Sequence, residues 1–295
     1  MRVPPWLSRI FVLNLCLQVL IVVTGGLVRL TGSGLGCPTW PQCEPGSYTP
    51  SFEAADGIHP YIEFGNRMVG IIVGFVALVM LIAVLRKARK SPFVSLSGLV
   101  LAGTIFQGVL GGITVRTGLN PGTVMAHFLI SMSLIALSTL LVWNARTGPA
   151  PSTKVPQRVR KLIRGFSWGT VAAVALILML GTITTGSGPH SGDADEPARF
   201  GLDPATMSQL HADSVFLFFG LLAGILLSVR LVGGLEGVMK PWLVVLAIAL
   251  SQGVIGYVQY FLDLPIALVS LHMLGAGLLT LSVTWAQASL LRALR

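Results

Sequence analysis

Apolar residues along this chain come in long unbroken runs rather than in the short periodic stripes of a soluble core. A helix that spans a bilayer needs about 20 consecutive apolar residues. Eight segments reach that length: 10–30, 63–85, 93–115, 122–142, 166–185, 209–231, 242–262 and 265–286. No series of strictly alternating segments suggests a barrel. In hydrocarbon every backbone N–H and C=O must find its partner within the segment, so each run is predicted to be a helix. The expected fold is therefore an all-α membrane protein with eight transmembrane helices.

The runs repeat. Gln107-Gly108-Val109-Leu110-Gly111 returns as Gln252-Gly253-Val254-Ile255-Gly256, and His127 and His272 each follow their glutamine by 20 positions. Both matches share an offset of 145, which brings Asn66 onto His211. Thr31-Gly32-Ser33-Gly34 after the first run matches Thr185-Gly186-Ser187-Gly188 after the fifth, at an offset of 154. Four helices per half, running in the same order and direction, make a parallel repeat about an axis along the membrane normal. The predicted domains are a bundle over 1–145 with an outer disulfide loop at 31–62, a basic linker over 146–165, and a second bundle over 166–295.

Composition supports lipid as the solvent. The chain is 53% hydrophobic and 11% charged, with a mean hydropathy of +0.80, whereas soluble proteins carry about 25% charged residues. A net charge of +9 would suit nucleic acid if the cations formed one surface. Instead, 16 of the 20 basic residues fall on one side of an eight-helix count, and Glu236 is the sole acid on that side. By the positive-inside rule both termini are cytoplasmic, in a bacterial plasma membrane, and no nucleic-acid partner is expected. The first run is too long for a signal-peptide core and is expected to stay as a helix.

Ionisable residues inside such segments are costly and mark functional sites. His211 and His272 lie near the outer ends of helices 6 and 8. Two neutral imidazoles facing across a four-helix bundle suit the axial positions of a b-type haem iron. The bland alternative is interhelical hydrogen bonding, worth about 0.6 kcal/mol per contact. No Cys-x-x-Cys-His occurs, so covalent haem attachment is not expected. The first half keeps His127 but has Asn66 at the partner position. A carboxamide ligates iron poorly, so this half is expected to hold a haem from one side and leave the other open for chemistry. His59 is an alternative distal ligand, although the Pro60 that follows it suggests a loop.

Glu63 shares a helical face with Asn66. It reads either as an acid–base group beside the substrate or as a carboxylate at a helix N-terminus. Arg67 and Arg116, with Arg29 as a third, either fork onto haem propionates or snorkel to the interface. Cys37 and Cys43 lie in the outer loop, where the compartment permits a disulfide; with His59 they form a weaker candidate for a metal site. Cys16 is expected to be buried in helix 1, and His190 to be solvated.

The stretch 25–38, Gly-Gly-Leu-Val-Arg-Leu-Thr-Gly-Ser-Gly-Leu-Gly-Cys-Pro, resembles the helix 1 signature of the haem A synthase family. Glu63-Phe64-Gly65-Asn66-Arg67 is similar to the family's Glu-x-x-His-Arg motif, with Asn66 as the departure, and His127, His211 and His272 match three of its four histidines. The resemblance implies haem b on His211 and His272, and haem O as substrate in the first half. It also implies oxidation of the C8 methyl of haem O to a formyl group for cytochrome oxidase. Glu63 would be the family's important carboxylate, and Cys37 with Cys43 its loop pair. Implied partners are haem O synthase as supplier, an electron-transfer protein and membrane lipid, and the arrangement admits a homo-oligomer. Rival expectations are a membrane b-type cytochrome in quinone-linked electron transfer, and a haem transporter or chaperone.

Overall fold

The computed structural model describes residues 3–51, 57–89, 91–148, 155–190, 192–193, 198–232 and 234–295. Eight helices follow one another: α1 (Pro5–Leu30), α2 (His59–Lys87), α3 (Pro92–Arg116), α4 (Pro121–Arg146), α5 (Gln157–Ser187), α6 (Pro204–Leu231), α7 (Glu236–Phe261) and α8 (Ile266–Ala293). All eight are long and apolar enough to cross a membrane; the chain is a multi-pass membrane protein. Proline stands in the first turn of α1, α2, α3, α4 and α6. There its missing N–H costs nothing and its fixed φ already suits the helix.

The helices outrun the apolar stretches that announce them. The expected linker over 146–165 is the clearest correction, because α5 begins at Gln157 and takes up its second half. Residues 149–154 of that linker lie outside the described residues. Arg158, Arg160, Lys161 and Arg164 belong to the opening turns of α5, because a helix outside hydrocarbon needs no apolar side chains.

Each half closes on itself in the same way. In the first, α1 packs on α2 and α4, and α3 bridges α2 and α4; in the second, α5, α6, α7 and α8 repeat those four contacts. Each bundle has its own apolar core, one around Phe11, Met80, Val100 and Ile135 and one around Phe218, Ile225, Trp242 and Leu290. The bundles meet through α4 with α8, α1 with α8, and α4 with α5. Exchanging α1 for α5 and α4 for α8 maps this contact set onto itself, as an approximate two-fold axis requires. At the seam the Trp143 indole donates to Ser289 Oγ (3.0 Å), and Gly26 lets Met273 approach α1.

The turns that join the last two helices of each half match residue for residue. Gly118 and Leu119 have φ of 60° and 56°, and Asp263 and Leu264, 145 positions on, have 56° and 59°. Leu119 N–H closes onto Thr114 O and Leu264 N–H onto Gln259 O. A non-glycine residue in the left-handed region costs about 1–2 kcal/mol, so two leucines held there mark a turn that the surrounding helices dictate.

Candidate functional site

In the second bundle His211 on α6 and His272 on α8 face each other, with ring centroids 6.4 Å apart and planes at 77°. His211 Nδ1 lies 3.0 Å from the Ile177 carbonyl of α5. A carbonyl only accepts, so Nδ1 carries the proton and Nε2 is left with its lone pair. Gly181 on α5 and Gly256 on α7 give the rings room: a Cβ at either would stand 3.1 Å from His211 Cε1 or 3.5 Å from His272 Cε1. His272 Nδ1 is buried without a hydrogen-bond partner.

This pair fits a haem. Two metal–nitrogen bonds of about 2 Å, plus ~1.1 Å from each nitrogen to its ring centre, separate two axial imidazoles by about 6 Å. Among the described residues no group of three or more His, Cys, Asp or Glu gathers to cage a metal ion. Two imidazoles alone leave most of a metal's coordination sphere to another donor, which a porphyrin would supply.

At the two equivalent positions the first bundle holds one histidine, and it is more tightly secured. His127 Nδ1 lies 2.7 Å from Gln107 Oε1, while Gln107 Nε2 donates to His127 O (2.8 Å) and Ser131 Oγ (2.5 Å). The amide's donors are thus turned away from the ring, so Nδ1–H donates to Oε1 and Nε2 stays free to ligate. A hydrogen-bonded second nitrogen is what fixes the orientation of a metal-ligating histidine. Asn66 Oδ1 accepts from Thr24 Oγ1 (2.8 Å), which ties the carboxamide to α1. Gly25 abuts Asn66 as Gly181 abuts His211. At the level of the sites α1 and α5 are therefore offset by 156, and the Thr-Gly-Ser-Gly match at 154 is not a structural equivalence. Thr31 lies just past the end of α1, whereas Thr185, Gly186 and Ser187 are still inside α5.

Gln252, the repeat mate of Gln107, leaves His272 alone. A Cβ on Gly275 would overlap the Gln252 amide, so that side chain lies across α8. Ser131 is replaced at the equivalent position by Ala276.

Over the first bundle sits a lid that has no counterpart among the described residues of the second. Cys37 and Cys43 form a disulfide and are fully buried. Glu63, also buried, accepts from Cys37 N–H through Oε2 (2.7 Å), and its Oε1 pairs with Arg67 at 2.6 Å. Arg67 donates onward to Gln42 O and Cys37 O, both at 3.0 Å. Arg116 donates to Trp40 O at 3.0 Å and lies 5.9 Å over the Trp40 ring. The indole itself rests where Gly112 has no Cβ. The repeat puts Ser208, Ala212, Tyr257 and Phe261 at the places of Glu63, Arg67, Gly112 and Arg116, which removes every anchor of such a lid.

Three expectations change. His59 is not in a loop: it opens α2 with Pro60 in the first turn, and its Nδ1 bonds Ser33 Oγ at 2.8 Å. Cys16 is exposed on the outside of α1, not buried. His190 is not simply solvated, because its Nε2 lies 3.0 Å from Leu264 O. Sequence reasoning missed the contacts of Gln107, Thr24 and Trp40. A glutamine 20 positions before each histidine was the signal for the first; the other two carried none.

Comparison with known proteins completes the description. A family model described as cytochrome oxidase assembly protein, COX15-CtaA, matches residues 8–190. Proteins named "Heme A synthase" are similar to the chain. The one from Geobacillus thermodenitrificans is 31% identical over 48% of this chain and 43% of its own length. That of Shewanella oneidensis is 29% identical over 64% and 57%, and one from Bradyrhizobium sp. (strain BTAi1) is 25% identical over 92% and 87%. The chain spans about half the length of the first two relatives in these matches.

Proposed function

Given that the chain belongs to the COX15-CtaA family of cytochrome oxidase assembly proteins, we propose that it is a haem A synthase, oxidising the C8 methyl of haem O to a formyl group. The observation that carries this reading is the inequality of twin sites. One bundle offers two facing imidazoles, 6.4 Å apart. The other offers a single imidazole, His127, held by Gln107, with Asn66 at the position opposite by repeat.

His211 and His272 would hold haem b, which supplies a one-electron relay when bound. His127 would ligate the substrate, haem O, while the carboxamide of Asn66 leaves the far face without a strong protein ligand. Glu63 is the carboxylate assigned to proton handling at the substrate, and general acid–base groups of this kind contribute about 10²–10⁴-fold. Arg67 and Arg116 are assigned to the propionates. Arg116, which among the described residues donates only to Trp40 O, keeps most of its fork available, whereas Arg67 is divided among Glu63 and two loop carbonyls. The disulfide loop closes this pocket from above.

The conversion is a redox change of the substrate, so an electron-transfer partner is required, and haem O synthase is the natural supplier. The charge bias supports a reading in which both termini face the cytoplasm, at a bacterial plasma membrane. Pigment analysis after co-expression with a haem O producer tests the assignment. A formyl-haem absorbance is expected. Unchanged haem O, with both bundles loaded, would replace the enzyme by a b-type cytochrome or a haem carrier.

A further inference from the structure

At the end of the first bundle opposite the two sites, a groove of about 310 Å³ opens between α1 and α2, lined by Trp6, Ile10, Val79, Ile82, Ala83, Arg86 and Lys87. Its α2 wall is one helical stripe, since 79, 82, 83 and 86 recur at the spacing that puts side chains on one face. The stripe runs about 10 Å along the axis. It is apolar toward the bilayer interior and ends in two cations. Arg86 and Lys87 are exposed, and the one salt bridge among the described residues joins Arg67 to Glu63 elsewhere. Trp6 stands across from them, 43% exposed, on the first turn of α1, where an amphipathic ring suits the headgroup level.

The second bundle serves as an internal control. In its register Val79 becomes Gly224 and Ile10 becomes Phe166. There the Phe166 ring packs onto Gly224, 3.1 Å from where a Cβ would be, and fills the equivalent space. Arg86 and Lys87 become Leu231 and Val232. The twin thus lacks the room, and its own cation on α6, Arg230, stands one place earlier than Arg86, so the open groove is not a by-product of the fold.

We propose that this groove is a binding site for an anionic glycerophospholipid. The phosphate sits on Arg86 and Lys87, and one acyl chain lies along Ile10, Val79, Ile82 and Ala83. Basic pockets between transmembrane helices recognise such headgroups. The apolar stripe selects a lipid over free phosphate, because an inorganic ion would leave the groove's hydrocarbon wall uncovered.

The test uses the full-length protein extracted from vesicles of phosphatidylglycerol and phosphatidylcholine in equal parts, with retained lipid read by native mass spectrometry. Retained phosphatidylglycerol should survive millimolar inorganic phosphate. It should bind about 30-fold more weakly in Arg86→Gln/Lys87→Gln, at about fivefold for each cation. Ile10→Phe/Val79→Gly, which copies the filled twin and keeps both cations, should lose it as well. Equal retention of the two lipids by the wild type, unchanged retention in either double variant, or displacement by phosphate would each overturn the proposal. Haem content and formyl-haem formation are read on the same samples, so failure of this site is distinguishable from failure of the enzymatic assignment.

Discussion

The two bundles share helix order, packing and turns, yet they treat the same two positions in opposite ways. In the second, positions 211 and 272 are both histidine, and among the described residues nothing covers them that resembles the disulfide loop. In the first, position 66 is asparagine tied to Thr24, position 127 is histidine secured by Gln107, and the loop is bolted on by Glu63, Arg67 and Arg116. Duplicated scaffolds diverge most cheaply at such points. A site needs few residues, and each bundle keeps its own core to absorb the change. Under the proposed function, the difference teaches that ligand strength and access would be set separately, the first by what stands at position 66 and the second by the loop.

The sharpest break in the comparison is His272→Ala. Removing one of two facing ligands should take the second bundle from about one haem b per chain to none, read by pigment extraction, while His127→Ala should leave that haem in place. Retention of a six-coordinate haem spectrum in His272→Ala would dissolve the distinction between the halves. Next in size, Glu63→Ala should lower formyl-haem production by about 100-fold or more with the second haem spectrally unchanged; full turnover would strip Glu63 of its role.

A smaller effect is expected from Gln107→Leu. It frees His127 Nδ1 and should weaken substrate-haem affinity by about 10–100-fold, the usual cost of losing such an orienting partner. Gln252→Leu should change haem b affinity much less, since Gln252 lies across Gly275 and not on the ring. Equal losses in the two variants would mean that both glutamines do the same job. Smallest, Cys37→Ser/Cys43→Ser opens a loop with a sequence separation of 6, for which chain entropy alone gives about 2 kcal/mol of lost stability. Thermal unfolding in detergent should show it, with the second bundle's haem released at an unchanged temperature.

Much of this was legible because lipid imposes blunt rules. A run of about 20 apolar residues in hydrocarbon has one outcome, so the number and order of the helices followed from the sequence. The 145-position register was equally plain, since Gln107, His127 and their mates are fixed by the same helix pairs. Helix ends were less so, because beyond the lipid tails a helix is free to go on with charged residues, as α5 does. The 154 match failed for a different reason: it compared a turn after α1 with residues still inside α5. His59 was misplaced because a proline that stops a helix from within is welcome in its first turn. The partner of His190 is a backbone carbonyl 74 positions away, which no local pattern announces. Cys16 was assigned to the core on the habits of its residue type, but it sits on the outward side of α1.

The self-mapping seam between α4 and α8 has a practical corollary. Each half carries, ready-made, the surface that its counterpart recognises, together with a complete ring of four helices and its own core. A polypeptide cut in the connection ahead of α5 should therefore suit split-protein complementation, each fragment keeping its own core and the matching half of the seam.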